Sequence, residues 1–315
     1  MTFGKVKGQA RAAKVLSGIL ASGRIPAAVV FHGMEGTGKT LMAVEFARTL
    51  LCRQRQGGES AACGCCSDCL SVDKRIHPDL AVVNAQYQAA LLEGDAAKQK
   101  SLRVDTIRHL RRDMEMRSLM GSWKIAVVED AHTLEIEAAN ALLKILEEPD
   151  PKTLWLLVTS QRERVPRTVL SRCFSVAFSP LPVAVVADIL EAEGVAPEEA
   201  ATAAALCEGS AGRALELAAG EYPQALYAGP LAAFQAADSL PREGYLARGQ
   251  TEAALFALSQ DLRLKHLQGG LSFARVERPL RELVRLRQAL RSNADPKVVM
   301  TLAGLAVEGV SSPRP

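Results

Sequence analysis

Aromatic residues are scarce in this chain, and it has neither long apolar runs nor a dominant sign of charge. Phe, Trp and Tyr supply 4% of its 315 residues, and the formal net charge is +3. A charge this small does not by itself indicate nucleic-acid binding. No apolar run approaches the ~20 residues that a membrane-spanning helix needs, and the first residues carry no apolar signal-peptide core. We therefore expect a cytoplasmic protein without a membrane partner.

The chain does contain enough apolar residues to build packed cores, since 48% of it is hydrophobic. A length of 315 residues is typical of about two or three domains. Ala and Leu dominate the last third, and this bias favours helices. The seven cysteines are not expected to form disulfides in a cytoplasmic protein.

Residues 33–40 read GMEGTGKT and match the phosphate-loop pattern G-x-x-x-x-G-K-[ST] at every fixed position. The apolar run Ala27–His32 before the loop predicts a buried strand, and residues 41–51 after it show helical spacing. Strand, glycine loop and helix is the context that such a loop requires. A chance glycine turn is the alternative, but the flanks and the Lys-Thr pair favour a nucleotide site.

Each fixed position of this loop has a chemical role. Gly33, Gly36 and Gly38 let the backbone curl so that its N–H groups face phosphate oxygens. Lys39 can reach the β- and γ-phosphates, and the hydroxyl of Thr40 can ligate Mg²⁺. ATP with Mg²⁺ is therefore the expected ligand, while hydrolysis is a separate question.

Four cysteines have a spacing that is typical of a metal site: Cys52, Cys63, Cys66 and Cys69. Cysteines with two residues between them can both reach one tetrahedral Zn²⁺, and four sulfur ligands leave no open position for catalysis. We therefore predict a structural zinc site. Cys65 cannot easily join Cys66 on the same metal, because neighbouring side chains diverge. A ligand set with Cys65 in place of Cys63 or Cys66 ranks lower. A patch of free thiols is the remaining alternative.

The apolar run Lys124–Asp130 predicts a strand that ends in two acids, Glu129 and Asp130. In phosphate-loop enzymes such a strand end holds the metal and positions the attacking water. Both acids are therefore candidate catalytic residues. The alternative is a strand that is simply followed by solvated acids.

Further apolar runs alternate with helical patterns along the first 180 residues. This alternation predicts a parallel α/β sheet with helices on both faces. The basic residues of the helix predicted at 104–116 form a solvated face more readily than a nucleic-acid patch, and residues 85–103 predict no element. After the linker signal at 179–182 only helical patterns follow, and the tail 311–315 is expected to be disordered. The further strand runs are 77–84, 153–160 and 173–178, and further helical patterns lie within 1–26 and over 137–150.

Several of these features together resemble the AAA+ clamp-loader proteins of the bacterial DNA polymerase III holoenzyme. The resemblance extends over residues 1 to about 215. It depends on the phosphate loop, the four cysteines and four short motifs: GQ at 8–9, HPD at 77–79, NALLKILEEP at 140–149 and LSRC at 170–173. It implies a hetero-pentamer with tau/gamma and delta subunits, which places a sliding clamp on primed DNA.

The resemblance also implies roles for four further residues. Arg172 is similar to the arginine that reaches the γ-phosphate bound by a neighbouring subunit, and an arginine supplied in trans stabilises transition-state charge. Without the resemblance, a surface salt bridge would be the preferred interpretation. Thr159 or Ser160 resembles the polar sensor at the sheet edge, and Arg213 resembles the sensor arginine of the lid.

Within this family the delta-prime subunit is the better match, and a short tau/gamma-like motor is the alternative. The length of 315 residues fits delta-prime, and the Glu-Asp order at 129–130 departs from the Asp-Glu of an active motor. A delta-prime-like chain implies weak or no ATPase activity of its own. The expected domains are an AAA+ domain at 1–180 with a zinc module near 52–75, a helical lid at 181–222 and a helical collar at 223–315. A small-molecule kinase is the third hypothesis, which the cysteines and the helical tail disfavour.

Overall fold

The computed structural model describes residues 3–55, 61–94, 99, 101–116, 118–120, 123–218, 224–241, 244–267 and 269–310. The chain divides into two compact units, Met1–Leu181 and Pro182–Pro315. The tail predicted to be disordered, and the predicted lid–collar boundary near residue 222, lie outside the described residues. The division into three domains therefore stays a prediction.

A parallel sheet of five strands forms the centre of the described part of the first unit. The strands are β1 Ala28–Gly33, β2 Leu80–Val83, β3 Lys124–Val128, β4 Thr153–Thr159 and β5 Phe174–Phe178. They lie in the order β2-β3-β4-β1-β5, and every pair is parallel. Strand β1 is flanked by β4 and β5, so the direction of winding reverses next to it. Ligands of such sheets bind outside the carboxyl ends of the strands at this point. The predicted α/β fold class is confirmed.

Helices cover both faces of this sheet. They are α1 Ala10–Ser22, α2 Lys39–Leu51, α3 Ser67–Asp73, α4 Ala85–Leu91, α5 Val104–Glu115, α6 Ile136–Glu147 and α7 Arg167–Leu170. Helix α4 lies in the stretch for which the sequence predicted no element. Its N-cap Asn84 accepts a hydrogen bond from the backbone N–H of Tyr87 (3.0 Å). Asn is a favoured N-cap residue, so this signal was present in the sequence.

Strand β1 is buried on both faces. Val29 and Phe31 belong to a core shared with α1 and α2, whereas Ala28 and Val30 belong to a second core shared with α5 and α6. All four side chains are at most 1% exposed. A continuous apolar run is what a central parallel strand requires. The loop that follows β1 therefore begins from a fixed position.

Only helices occur in the described residues of the second unit. They are α8 Val183–Ala192, α9 Pro197–Leu206, α10 Ala211–Ala218, α11 Gln224–Tyr227, α12 Pro230–Asp238, α13 Gly244–Leu267, α14 Phe273–Arg291 and α15 Pro296–Val307. Helices α12 and α15 pack so closely that a Cβ atom at Gly304 would lie 2.1 Å from the Cβ of Ala233. Across the described part of the chain, no helix is both long enough and apolar enough to cross a membrane.

Candidate nucleotide site and cysteine cluster

The glycine loop leaves the carboxyl end of β1 with backbone angles that suit glycine. Gly33, Gly36 and Gly38 have φ values of 140°, 72° and 88°. A Cβ atom at position 33 would also lie 2.3 Å from the carbonyl oxygen of Phe178 on β5. Positive φ angles let successive N–H groups turn toward one point, as anion binding requires. The three glycines therefore have backbone angles that other residues rarely adopt, and their contact with phosphate stays a prediction.

Lys39 is held inside this loop. Its side chain is buried, with the residue 6% exposed, and Nζ donates a hydrogen bond to the carbonyl oxygen of Met34 (2.6 Å). Burial lowers the pKa of Lys39 to about 8, although the carboxylates of Glu35 and Asp130 act in the opposite direction. A buried cation is stabilised by an anion that arrives beside it. Thr40 follows at the start of α2 and is half-buried.

The two acids after β3 have different surroundings. The carboxylate of Glu129 accepts a hydrogen bond from Nδ2 of Asn84 (3.1 Å), and Nη1 of Arg75 lies 3.7 Å from its other oxygen. Asp130 has a left-handed backbone with φ 48°. Removal of hydration raises the pKa of Asp130, whereas the nearby His132 and Lys39 act in the opposite direction. Asp130 is thus the acid whose charge interacts with Lys39.

Thr159 is the last residue of β4. It lies opposite His32 of β1 in the parallel register and is fully buried. Its Oγ1 accepts the backbone N–H of Gln161 (3.1 Å) and lies 3.3 Å from Nδ1 of His132. Ser160 follows and is half-buried. Thr159 therefore has a defined contact with the segment after β3.

Sequence reasoning assigned no role to the two histidines at this sheet edge. Burial lowers the pKa of His32 and of His132, so both imidazoles tend to be neutral. Neutral imidazole both donates and accepts hydrogen bonds. The position of His132, two residues after Asp130, was the available signal.

The candidate trans-acting Arg172 lies on the surface, between α7 and β5. Its Nη2 pairs with Oε1 of Glu147 (2.7 Å), and Nη1 donates to the carbonyl oxygen of Thr168 (3.0 Å). An exposed pair of this kind contributes little to stability. Arg172 therefore forms a surface salt bridge within the chain, and its action on the nucleotide of a neighbouring subunit stays a prediction.

Arg213, the candidate lid sensor, lies in α10 of the second unit. Its guanidinium carbon is 4.7 Å from the ring centre of Phe256 in α13. A guanidinium over an aromatic face is a cation–π contact. The side chain is thus engaged inside its own unit, and its action on a nucleotide stays a prediction.

The four predicted cysteines converge outside the sheet. The sulfur atoms of Cys52, Cys63, Cys66 and Cys69 all lie within 4.8 Å of one another. The distance from Cys52 to Cys63 is 3.6 Å, and that from Cys63 to Cys69 is 3.9 Å. Tetrahedral Zn²⁺ with bonds of about 2.3 Å separates its sulfur ligands by about 3.8 Å. The spacing therefore fits a zinc-sized ion, while Cys65 is exposed and lies outside this group.

Backbone and side-chain groups around the cluster hold it in place. The N–H groups of Cys65 and Cys66 lower the pKa of Cys63 to about 6, which favours the thiolate that metals bind. The carboxylate of Asp68, which is 2% exposed, accepts hydrogen bonds from Nε and Nη2 of Arg53, at 2.8 and 3.1 Å. The segment is thus supported by a charge-assisted pair as well as by the sulfur atoms.

The HPD sequence at 77–79 has a structural explanation. Nδ1 of His77 accepts the backbone N–H of Asp79 (3.1 Å). Asp79 in turn accepts hydrogen bonds from Ser118 Oγ and from the N–H groups of Leu119 and Met120, at 2.8 to 2.9 Å. This buried carboxylate connects the start of β2 to the segment before β3.

The amino-acid sequence matches the family described as DNA polymerase III, delta subunit, over residues 8–182, which is more than half of the chain. DNA polymerase III subunit gamma/tau of Mycobacterium tuberculosis (strain ATCC 25618 / H37Rv) is 34% identical over 203 residues, covering 63% of this chain and 33% of the relative. DNA polymerase III subunit delta′ of Bacillus subtilis (strain 168) is 30% identical over 192 residues, covering 61% of this chain and 54% of the relative. The chain therefore spans from one third to about half of the length of these relatives.

The fold is similar to that of a solved bacterial protein. The crystal structure of a DNA polymerase III gamma subunit-related protein from Thermotoga maritima aligns with a TM-score of 0.55 and 14% sequence identity. The alignment covers 94% of this chain and 98% of that chain. At this identity the likeness concerns the fold alone.

Proposed function

We propose that this chain, which belongs to the family described as DNA polymerase III, delta subunit, is a subunit of a clamp loader that places the sliding clamp on primed DNA. The position of the family match carries the proposal. Residues 8–182 include the phosphate loop, the four-cysteine cluster and Arg172. A role on replicating bacterial DNA would place the chain in the cytoplasm.

A delta-prime-like subunit is the form that we favour. The position of the water-orienting acid holds Asp130, which is one methylene shorter than the glutamate of active motors. A misplacement near 1 Å can cost on the order of a hundredfold in rate, so intrinsic hydrolysis should be weak or absent. The 34% identity to a gamma/tau subunit supports the alternative, a tau/gamma-like motor. Brisk ATP turnover by the isolated chain would favour that alternative.

For ATP and Mg²⁺, the proposed binding groups are the glycine loop and the polar residues that follow β3 and β4, with Arg213 as a proposed contribution from the second unit. The backbone of Gly33, Gly36 and Gly38 would receive phosphate oxygens, and Lys39 would exchange its bond to Met34 for a phosphate. Mg²⁺, when bound, would neutralise charge between the phosphates, with Thr40 and the acids Glu129 and Asp130 as candidate ligands and water-orienting groups. Thr159 or Ser160 would contact the γ-phosphate, and Arg213 would do so from the lid.

For zinc, the proposed ligands are the four clustered cysteines, and the proposed role is structural. Four thiolates saturate a tetrahedral ion, so the metal would hold the module of residues 52–75 together. Support comes from the sulfur distances, which match those of a tetrahedral site.

Arg172 is the proposed contact with a neighbouring subunit. A guanidinium is permanently charged and has a rigid fork that suits phosphate oxygens. In the assembled hetero-pentamer with tau/gamma and delta subunits, Arg172 would leave Glu147 and act on the nucleotide of its neighbour. We further propose that residues 181–222 form the lid and residues 223–315 the collar through which the subunits assemble.

Reconstitution with tau/gamma and delta subunits, clamp and primed DNA tests this role. The Arg172→Ala chain should enter the complex, while clamp- and DNA-stimulated ATPase at the facing site falls by up to about 10³-fold. Arg167→Ala, which removes a nearby exposed arginine at the start of α7, is the matched control.

Glu147→Gln separates the proposed role from a simple surface pair. It breaks the salt bridge seen within the chain but keeps the guanidinium. If Glu147→Gln and Arg172→Ala have the same effect, or if neither changes the stimulated ATPase, Arg172 acts only as a surface arginine. Failure of the wild-type chain to join the complex would sink the clamp-loader proposal itself.

A further inference from the structure

Helix α3 of the cysteine segment ends beside the acids of the nucleotide site. It begins after Cys66, contains Cys69 and ends at Asp73. Two residues later, Nη1 of Arg75 lies 3.7 Å from Oε1 of Glu129. A side chain of the cysteine segment thus reaches the acid that follows β3.

The backbone at Arg75 is one that favours glycine. Its φ is 57°, and the N–H groups of Arg75 and Ile76 donate to the carbonyl oxygens of Val72 and Ser71. This is the closing pattern of a helix whose next residue is left-handed, where glycine is the usual choice. An arginine there adds steric strain that the helix end does not require. The ion pair with Glu129 is an interaction that an arginine can make at this position and a glycine cannot.

Two charge networks fix the ends of α3. At its start, Asp68 is paired with Arg53. At its end, Oδ1 of Asp73 accepts a hydrogen bond from Nζ of Lys5 (2.7 Å) and lies 3.5 Å from Nη1 of Arg48. Together with the sulfur cluster, these contacts fix the position of the backbone at Arg75. The guanidinium therefore reaches Glu129 from a defined backbone position.

Both oxygens of Glu129 face groups of the chain itself. Asn84 donates to Oε2 at 3.1 Å, and Arg75 approaches Oε1. The side chain of Glu129 is 19% exposed, whereas that of Arg75 is 52% exposed. A divalent cation at the nucleotide site needs a carboxylate oxygen on this strand end. Arg75 and such a cation would therefore compete for the carboxylate of Glu129.

We infer that Arg75 is a positioning residue that holds Glu129 and competes with Mg²⁺ for its carboxylate. The cysteine segment, by placing α3, thereby sets the Mg²⁺ requirement of the nucleotide site. This inference rests on the proposed binding of ATP and Mg²⁺. It gives the cysteine cluster a consequence beyond its own stability.

Arg75→Gly tests the inference without damage to the helix end, because glycine relieves the left-handed strain. The Mg²⁺ concentration for half-maximal ATP binding, measured by calorimetry on the full chain, should fall about two- to fivefold, as expected for a half-exposed ion pair. Arg75→Lys keeps a cation near Glu129 and should stay close to wild type. Lys152→Gly is the matched control, since Lys152 is also basic and left-handed (φ 59°).

The Glu129→Gln variant tests whether the shift in the Mg²⁺ midpoint depends on the carboxylate of Glu129. In a Glu129→Gln chain no carboxylate remains for Arg75 to neutralise, so Arg75→Gly should no longer shift the Mg²⁺ midpoint. An unchanged or higher midpoint for Arg75→Gly in the wild-type background overturns the inference while leaving ATP binding intact. Absence of any ATP binding by the wild-type chain would instead defeat the nucleotide proposal, and the inference with it.

Discussion

The phosphate loop and the cysteine cluster both gather groups for a charged ligand, but they do so by different means. The loop uses backbone N–H groups. Its first glycine, Gly33, ends β1 so close to the carbonyl oxygen of Phe178 on β5 that no Cβ atom fits there. The cluster uses four side chains from residues 52–69, outside every strand described. The loop therefore depends on the assembled sheet, whereas the cluster depends on a short segment. Changes at the two sites should consequently differ in how far their effects extend.

The two sites also differ in the charge that they hold before a ligand arrives. Lys39 is a buried cation whose pKa is lowered by burial. At the cluster, backbone N–H groups lower the pKa of Cys63, whereas burial raises the pKa of Cys52 and of Cys69. The loop thus holds a buried cation before an anionic ligand arrives, whereas the cluster favours the anionic form at Cys63 and the neutral form at Cys52 and Cys69.

Gly33→Ala should have the largest effect on the sheet. The added Cβ would lie 2.3 Å from a backbone oxygen at a φ of 140°, and we expect a loss of about 2–5 kcal/mol in the free energy of unfolding. Urea unfolding followed by circular dichroism measures it. Gly18→Ala in α1, where a Cβ meets nothing within 4 Å, is the control and should gain up to about 1 kcal/mol. Equal stability of both variants would contradict a loop locked by the sheet.

Lys39→Met should abolish ATP binding yet stabilise the nucleotide-free protein near neutral pH. The pKa of Lys39 falls from 10.5 to about 8, and each unit corresponds to ~1.4 kcal/mol, so the buried charge costs on the order of 3 kcal/mol. Thr37 still donates to the carbonyl oxygen of Met34 (2.8 Å) in the variant.

The stability gain of Lys39→Met should depend on pH in a defined direction. Between the folded pKa of about 8 and the unfolded value of 10.5, the unfolded wild-type chain binds one more proton than the folded chain. Wild-type stability therefore rises with pH in this window, and the advantage of the variant shrinks. Urea titrations on both sides of the window measure the gap. A gap that stays constant or widens would argue against a buried charged lysine.

Cys69→Ser should have the smallest effect on the sheet, although it removes the metal. We expect the wild-type chain to contain about one zinc ion and the variant almost none, while the sheet is retained, because the cysteines lie outside its strands. Elemental analysis and circular dichroism provide the two readouts. Cys65→Ser, outside the cluster, should keep its zinc. Loss of the sheet in Cys69→Ser would remove the distinction between the two sites.

Much of the site could be predicted because it is encoded in short contiguous patterns. GMEGTGKT between a buried strand and a helix specifies the loop, and the spacing of the cysteines from 63 to 69 specifies most of the cluster. Helix α4 was missed because residues 85–103 lack a clear apolar period, although the N-cap Asn84 precedes the helix. Local patterns of this kind need no knowledge of the rest of the chain.

Contacts between distant residues could not be predicted in this way. The strand order, the pairing of Arg75 with Glu129, the contact of His132 with Thr159 and the stacking of Arg213 on Phe256 join side chains that share no local pattern. The sequence by itself determined the phosphate loop, the cysteine spacing and the alternation of strands and helices, because backbone preference and periodicity act over a few residues. Only the tertiary structure decided which charges face each other, because packing of the sheet and its helices brings remote segments within reach.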